Sequence, residues 1–307
     1  MSIYDSRLLI TGSSGYIGEN LYFFPKKTGF KNIVLIDKKI KKKICNQFKI
    51  DLSKKKTVKN FFKNNKFDYI IHLAAISNIK SFKKNYKKKI KYNLLITKNI
   101  IESINYKTKF IISSSAAVYG YPKKNKINEN TISNPINSYG ISKKITENYL
   151  KKKDNFIIFR FFNVIGTLTN NFDYNNSFSQ KIFYKHKKKI NKIDIFSRVN
   201  NNKILFPERD FIHIYDICRI LMFSIIHFKK FKNLIINCGS GKKISIMHMV
   251  KKFESHFNYK FIYKFKNLAE DEILSICSDN KKLLNKIKNN LKFTSLDKIV
   301  TNYYFKL

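Results

Sequence analysis

The segment Thr11-Gly12-Ser13-Ser14-Gly15-Tyr16-Ile17-Gly18 constrains this chain more than any other. Its three glycines are spaced G-x-x-G-x-x-G, directly after the strand-like run Arg7–Thr11 and at the start of a helical stretch. A strand that turns this sharply into a helix needs one glycine for the turn and one where backbone meets a ligand. The third lets helix and strand pack closely. Free N–H groups and partial positive charge at a helix start suit a pyrophosphate. Glycine is scarce here, with nine in 307 residues, and eight of them fall in short motif-like segments. The turn therefore reads as a dinucleotide-binding element, with Gly12, Gly15, Tyr16, Ile17 and Gly18 as its contact residues.

Further along, short β-branched runs alternate with longer Lys-rich helical stretches. Strands are expected over 7–11, 32–37, 48–50, 67–73, 110–113 and 156–161, and helices over 54–64, 90–104 and 142–151. Such βαβ alternation predicts an α/β fold, a doubly wound parallel Rossmann sheet with right-handed crossovers. After Gly166 the pattern turns irregular, and a smaller C-terminal α/β substrate-binding lobe is expected there. The expected division is a dinucleotide domain over 1–166 with a segment returning at about 209–240. The lobe takes 167–208 and 241–307. Asp37 ends the second strand 19 residues after Gly18, where a carboxylate can accept hydrogen bonds from an adenosine ribose. It disfavours a 2′-phosphate, so the expected cofactor is NAD, although Lys38 and Lys39 beside it could soften that preference. Asp51 and Leu52 follow the third strand and are placed to meet the adenine.

Composition bears on partners. Lys and Arg number 62 against 20 Asp and Glu, a net charge of +42. Lys, Asn, Ile, Phe and Tyr are inflated together, while Ala, Gly, Pro, Arg and Trp are scarce. Base-composition drift toward A/T-rich codons is the leading explanation, and selected polyanion binding the alternative. Only five of the 62 are arginine, the side chain nucleic-acid readers favour, so no specific nucleic acid is expected. The four cysteines stand far apart without a CxxC or a nearby metal-spaced His. A reduced, cytoplasmic protein without a metal follows. No signal-like segment is read at the N-terminus and no apolar run approaches the roughly 20 residues of a membrane span.

The remaining motifs are HLAA (72–75), SSSAAVYG (113–120), NPINSYGISK (134–143), RFFNVIG (160–166), RDFIHIYDI (209–217) and NCGSG (237–241). In this order, with the glycine turn, the chain resembles the extended short-chain dehydrogenase/reductases, and among them the nucleotide-sugar 4-epimerases that act on UDP-glucose. The resemblance spans nearly the whole chain. It implies that Tyr139 is the proton-transferring base, Lys143 the cation that lowers its pKa and binds the nicotinamide ribose, and Ser115 the hydroxyl that bonds the sugar. It adds Leu73, Ala74, Ala75 and Asn93 to the cofactor contacts. Ser115, Tyr139, Asn163, Asn176 and Arg209 are the implied contacts of a UDP-sugar, with Ile276 as a gate. Ser113 and Ser114 are expected to satisfy backbone groups, and His213 to be structural. Nucleotide-sugar dehydratases of this superfamily carry an Asp-Glu pair after the serine, where this chain has Ala116-Ala117, so dehydration is disfavoured. The expected reaction is reversible oxidation at C4 through a transient 4-keto sugar. Net redox turnover on the same scaffold is the alternative, and a degenerate basic module the alternative of another class. A homodimer built from the 90–104 and 142–151 helices is expected by the same analogy. One departure stands out: relatives place a second phosphate-binding Arg where this chain has Ala269-Glu270-Asp271-Glu272.

Overall fold

In the computed structural model the described residues are 2–40, 46–122, 124, 126–168, 178–200, 202–269, 272–288 and 291–301. The chain divides into two compact units. The first comprises residues 1–120, 132–160 and 218–236, and the second 121–131, 161–217 and 237–307.

The first unit opens with β1 (Arg7–Thr11), α1 (Tyr16–Leu21), α2 (Phe23–Lys27), β2 (Asn32–Asp37) and β3 (Gln47–Lys49). It continues with α3 (Lys55–Asn64), β4 (Tyr69–His72), α4 (Tyr86–Ile101), β5 (Lys109–Ser115), α5 (Ser138–Leu150) and β6 (Phe156–Phe161). The chain then runs through β7 (Asn163–Ile165), α6 (Phe178–Lys187), β8 (Lys192–Asn200), β9 (Lys203–Leu205) and β10 (Glu208–His213). After α7 (Ile214–Ile226) and α8 (Phe228–Phe231), β11 (Leu234–Cys238) completes a seven-stranded parallel sheet of order β11-β6-β5-β4-β1-β2-β3.

Strands covered on both faces read as unbroken apolar runs. Leu8, Leu9 and Ile10 of β1, Ile70 and Ile71 of β4, and Ile157, Ile158 and Phe159 of β6 are all buried. The helices are amphipathic. α3 buries Val58 and Phe62 four residues apart, and its lysines stay exposed. Burying each such side chain is worth roughly 1.5–3 kcal/mol. Leu9, Ile36, Phe62, Ile70, Ile96, Phe110 and Ile158 form one contiguous core. In this order β1 lies between β2 and β4, so the chain reverses direction across the sheet there. In doubly wound folds that reversal, at the carboxyl ends of the strands, is where ligands bind. The glycine turn, the 73–76 segment and the serines of β5 all lie at those ends.

The second unit contains strands the sequence reading did not find. β7, β10, β12 (Lys243–Ser245) and β14 (Ser275–Ile276) form a four-stranded sheet. β13 (Ile262–Asn267), β8 and β9 form a three-stranded one. Helices α6 and α9 (Ile246–Phe257) contribute Ile182, Met249, Val250 and Phe253 to a core with Ile193, Ile195, Phe211 and Phe261. α10 (Lys281–Ile287) and α11 (Leu296–Thr301) follow.

Candidate active site

The glycine turn is built as a cradle. Gly12 leaves β1 with φ +71° and donates to the Ile36 carbonyl at 2.9 Å. A Cβ there would stand 2.5 Å from the Ala74 nitrogen, and one on Gly18 only 2.2 Å from the Gly12 oxygen. Gly15, exposed at the N-cap of α1, would meet only the Gly12 oxygen, at 3.1 Å. Tyr16 and Ile17 begin α1, both half-buried. The Asp37 carboxylate accepts from the Ser14 N–H at 3.0 Å and the Lys39 N–H at 3.0 Å. A carboxylate has about four acceptor positions, so the half-buried Asp37 retains capacity for ribose hydroxyls. The donor set and the side-chain-free cradle fit the adenosine and pyrophosphate portions of NAD.

Lys38 does not stay beside Asp37. It pairs with Asp51 at 3.1 Å, above the Tyr92 ring. Asp51 also accepts from the Ser53 hydroxyl at 2.7 Å, and Leu52 is buried in the core with its carbonyl bonded to Asn99. The 73–76 segment is fixed by the Ala74 N–H donating to Thr11 Oγ1 at 3.3 Å. The Asn93 side chain accepts from the Ile76 N–H at 2.8 Å and donates to the Ile76 carbonyl and to Ser142 Oγ. Asn93 therefore stands behind Leu73, Ala74 and Ala75, tying their loop to α5. His72, 2 % exposed, bridges Thr11 at 2.7 Å and Thr97 at 3.0 Å. Burial, reinforced by the charge of Lys143, pushes its pKa down to about 3, so the ring is neutral.

The motif NPINSYGISK explains how α5 presents its first turn. Asn137 caps the helix, accepting from the Gly140 N–H at 2.9 Å. Gly140 lets the helix lie against the turn after β5, since a Cβ there would stand 2.4 Å from the Ala117 oxygen. This places Tyr139 near Ser115, whose hydroxyl favours the ionised phenol. Ser115 Oγ also accepts from the Ala117 N–H at 3.2 Å. One turn further on, the buried Lys143 donates from Nζ to the Ser113 carbonyl at 2.8 Å, 5.9 Å from the Tyr139 ring centroid.

The electrostatics correct one expectation. Tyr139 is held above its ordinary pKa because burial disfavours the phenolate, with the Ser115 hydrogen bond opposing. The lowering expected from Lys143 does not offset that burial. Lys143 itself is pushed down to about 8 by burial, with Glu147 acting the other way. A second correction concerns Ser114, whose hydroxyl donates to the Glu147 carboxylate at 2.5 Å and not to a backbone group. Glu147 and Arg160 escaped the sequence reading. Their only signal was spacing, with Glu147 four residues beyond Lys143 on the same helical face, and the rarity of arginine.

In the second unit, Asn163 on β7 pairs with Phe211 of β10 in parallel register. Arg209 on β10 donates from Nη1 to the carbonyls of Glu208 at 2.9 Å and Leu274 at 3.1 Å. Ile276 lies opposite Arg209 in the β10–β14 pair and is buried. An ion pair with Asp210 does not account for Arg209. Asp210 is fully buried and accepts from the Ser240, Gly241 and Ser278 N–H groups and from the hydroxyls of Ser240 and Ser278. His213 is fully buried with its pKa pushed down to about 3, and its Nδ1 accepts from the Tyr215 N–H. Arg198 donates to the carbonyls of Ala269 and Glu272 at 3.4 and 3.2 Å, the segment where a second arginine was expected. Asn176, Glu270 and Asp271 lie outside the described residues. Among the described residues no His, Cys, Asp and Glu cluster could hold a metal, and no helix is long and apolar enough to cross a membrane.

A GDP-6-deoxy-D-talose 4-dehydrogenase of Aggregatibacter actinomycetemcomitans is 27% identical, over 97% of this chain and 97% of its own. A UDP-glucose 4-epimerase of Yersinia enterocolitica is 29% identical, over 80% of this chain and 81% of its own. Among solved structures, the UDP-Glc/GlcNAc 4-epimerase of Campylobacter jejuni matches with a TM-score of 0.81 at 27% identity, covering 97% of this chain and 98% of that one. The model of the NAD dependent epimerase/dehydratase family matches residues 8–239. With that match, the glycine cradle and the seven-stranded parallel sheet, this chain belongs to the NAD-dependent epimerase/dehydratase family, and its cofactor is NAD.

Proposed function

We propose that this enzyme is a nucleotide-sugar 4-epimerase, interconverting UDP-glucose and UDP-galactose or a close UDP-sugar through a transient 4-keto sugar. The observation that carries it is the convergence of Ser115, Tyr139 and Lys143 where β5 meets α5, followed by Ala116 and Ala117, which have no carboxyl group with which to expel water. The first unit serves as the NAD domain, through Gly12, Gly15, Tyr16, Ile17, Gly18, Asp37, Asp51, Leu52, Leu73, Ala74, Ala75, Asn93, Tyr139 and Lys143. When bound, NAD supplies reversible hydride transfer at C4 of the sugar. Tyr139 takes the proton of the 4-hydroxyl and later returns it, and Ser115 orients that oxygen through its own hydroxyl. Lys143 holds positive charge behind the phenol. The second unit serves as the nucleotide-sugar lobe, with Asn163, Asn176 and Arg209 as diphosphate and sugar contacts. A guanidinium suits a phosphate in a partly buried site.

Proton NMR of the purified enzyme with a panel of nucleotide sugars tests the reading. UDP-galactose is expected to give UDP-glucose without added NAD, and Tyr139→Phe to lose turnover by at least about 10³-fold, within the range for general acid–base groups. Undiminished turnover in that variant would refute the assignment of Tyr139. The full-length resemblance to a 4-dehydrogenase favours net oxidoreduction as the second reading. Stoichiometric absorbance change at 340 nm identifies it, because epimerisation leaves the cofactor unchanged.

Leu95 on α4 and Ile141 and Ile145 on α5 are exposed apolar side chains on adjacent helices. We propose that they meet their copies in a homodimer, which sedimentation at micromolar concentration tests. Cytoplasmic residence fits the buried Cys218, Cys238 and Cys277, none of which forms a disulfide with another of the three.

A further inference from the structure

Behind Lys143 lies a buried ion pair that the proposed reaction does not itself use. Glu147 and Arg160 are each 2 % exposed. Arg160 donates to the carboxylate through Nε at 2.9 Å and Nη2 at 2.6 Å, a forked arrangement. Its Nη1 donates to the Tyr119 hydroxyl at 2.8 Å, and its carbon lies 4.7 Å from the Tyr119 ring centroid. Ser114 completes the carboxylate's partners. Two consecutive residues of β5 thus attach to two points of α5. The Ser113 carbonyl takes Lys143, and the Ser114 hydroxyl donates to Glu147.

A buried ion pair is a weak source of stability, since apolar replacements of similar volume are often neutral or better. What this one does follows from where its negative end lies. The groups facing Lys143 are Tyr139 and Glu147 on its own helix, the Ser113 carbonyl on β5 and His72 on β4, with Arg160 on β6 behind Glu147. His72 is neutral. Glu147 is the group whose charge favours the ammonium form, against the burial that disfavours it. Arg160 fixes that carboxylate in place through two hydrogen bonds.

We infer that Glu147, clamped by Arg160, Ser114 and Tyr119, is a positioning residue that holds the ammonium charge of Lys143 in place beside Tyr139. The inference rests on the reading of Tyr139 and Lys143 as the reactive pair. Glu147 touches neither substrate nor cofactor, and acts on the reaction through Lys143 alone.

The test reads the charge of Lys143 directly. In protein labelled with ¹³C-lysine, one Cε resonance is expected to titrate near pH 8, apart from ordinary lysines near 10.4, and to vanish in Lys143→Met. Glu147→Gln is expected to lower that midpoint by at least about one pH unit and to shift the alkaline limb of turnover equally, roughly fivefold less activity at pH 8. Arg160→Met, which leaves the carboxylate unopposed, is expected to raise it. Glu147→Gln/Arg160→Met removes both charges, avoids an unpaired buried cation, and is expected to fall between Glu147→Gln and wild type. An unchanged midpoint in either folded Glu147 variant would overturn the inference, because a merely structural pair would alter stability without this ordering. Absence of turnover in wild type, with the midpoint still responding to Glu147, would sink the proposed reaction and leave the electrostatic link standing.

Discussion

Three glycines allow steric clash and backbone strain to be separated experimentally. Gly29 has φ +91°, but an added Cβ would meet only the Tyr4 ring at an ordinary 3.5 Å. Gly29→Ala therefore carries strain alone, about 1–2 kcal/mol, partly offset by about 0.4–1 kcal/mol from a less flexible unfolded chain. Gly18 has no positive φ, but its Cβ would stand 2.2 Å from the Gly12 oxygen. Gly18→Ala carries clash alone, about 1–3 kcal/mol for an overpacked site, against about 1 kcal/mol gained in helix propensity. Gly12 has both, with φ +71° and a Cβ 2.5 Å from the Ala74 nitrogen, roughly 1 Å short of ordinary contact with backbone that cannot swing aside. Gly12→Ala should thus lose about 2–5 kcal/mol. At roughly 2 °C per kcal/mol for a chain of this size, that lowers Tm by about 4–10 °C, against about 3 °C or less for Gly29→Ala. The second readout is NAD released from the purified protein by denaturation. Gly29→Ala should carry wild-type amounts, and Gly12→Ala and Gly18→Ala little, because relieving either clash spreads the cradle. Equal Tm and equal NAD content in Gly12→Ala and Gly29→Ala would refute the reasoning.

Two further outcomes are expected. His72 has a folded pKa of about 3 against an ordinary 6.5, so the unfolded chain binds its proton first on acidification. Stability from this group is complete above about pH 6.5 and drains toward pH 3 at up to about 1.4 kcal/mol per unit, and urea unfolding at pH 7 and 5 should show His72→Gln losing about 2 kcal/mol less than wild type. Arg209→Lys keeps the charge but not the fork, so KM for the UDP-sugar should rise about tenfold or more with NAD content unchanged, and an unmoved KM would remove Arg209 from the substrate site.

The first half of the fold was legible because its strands are continuous apolar runs separated by amphipathic helices, a period change that survives heavy lysine substitution. The short strands of the second unit were not. β9, β12 and β14 have three, three and two residues, and β13 is mostly exposed and carries lysine at alternate positions. β8 does alternate, with Ile193, Ile195 and Ser197 buried between exposed neighbours, but one alternating run cannot name its partners. At the site, residue types and spacing sufficed to nominate Ser115, Tyr139 and Lys143, which the fold brings together. Spacing says nothing about solvent, however, and burial decides the direction in which Tyr139 and Lys143 are shifted. The Glu147–Arg160 pair was invisible for a related reason. Among 62 basic residues no single ion pair stands out until the sheet places β6 beside β5.

The forked contact of Arg160 also bears on how this sequence can change. The codons AGA and AAA differ by one base, so arginine sits one transition from lysine. Arg160 bonds two carboxylate oxygens and a phenol at once, Arg198 spans two carbonyls, and Arg7 reaches Asn65 while lying over Phe67. A lysine in any of these places brings one nitrogen to work shared among several. Among 62 basic residues, these arginines stand where planarity, and not merely charge, is used.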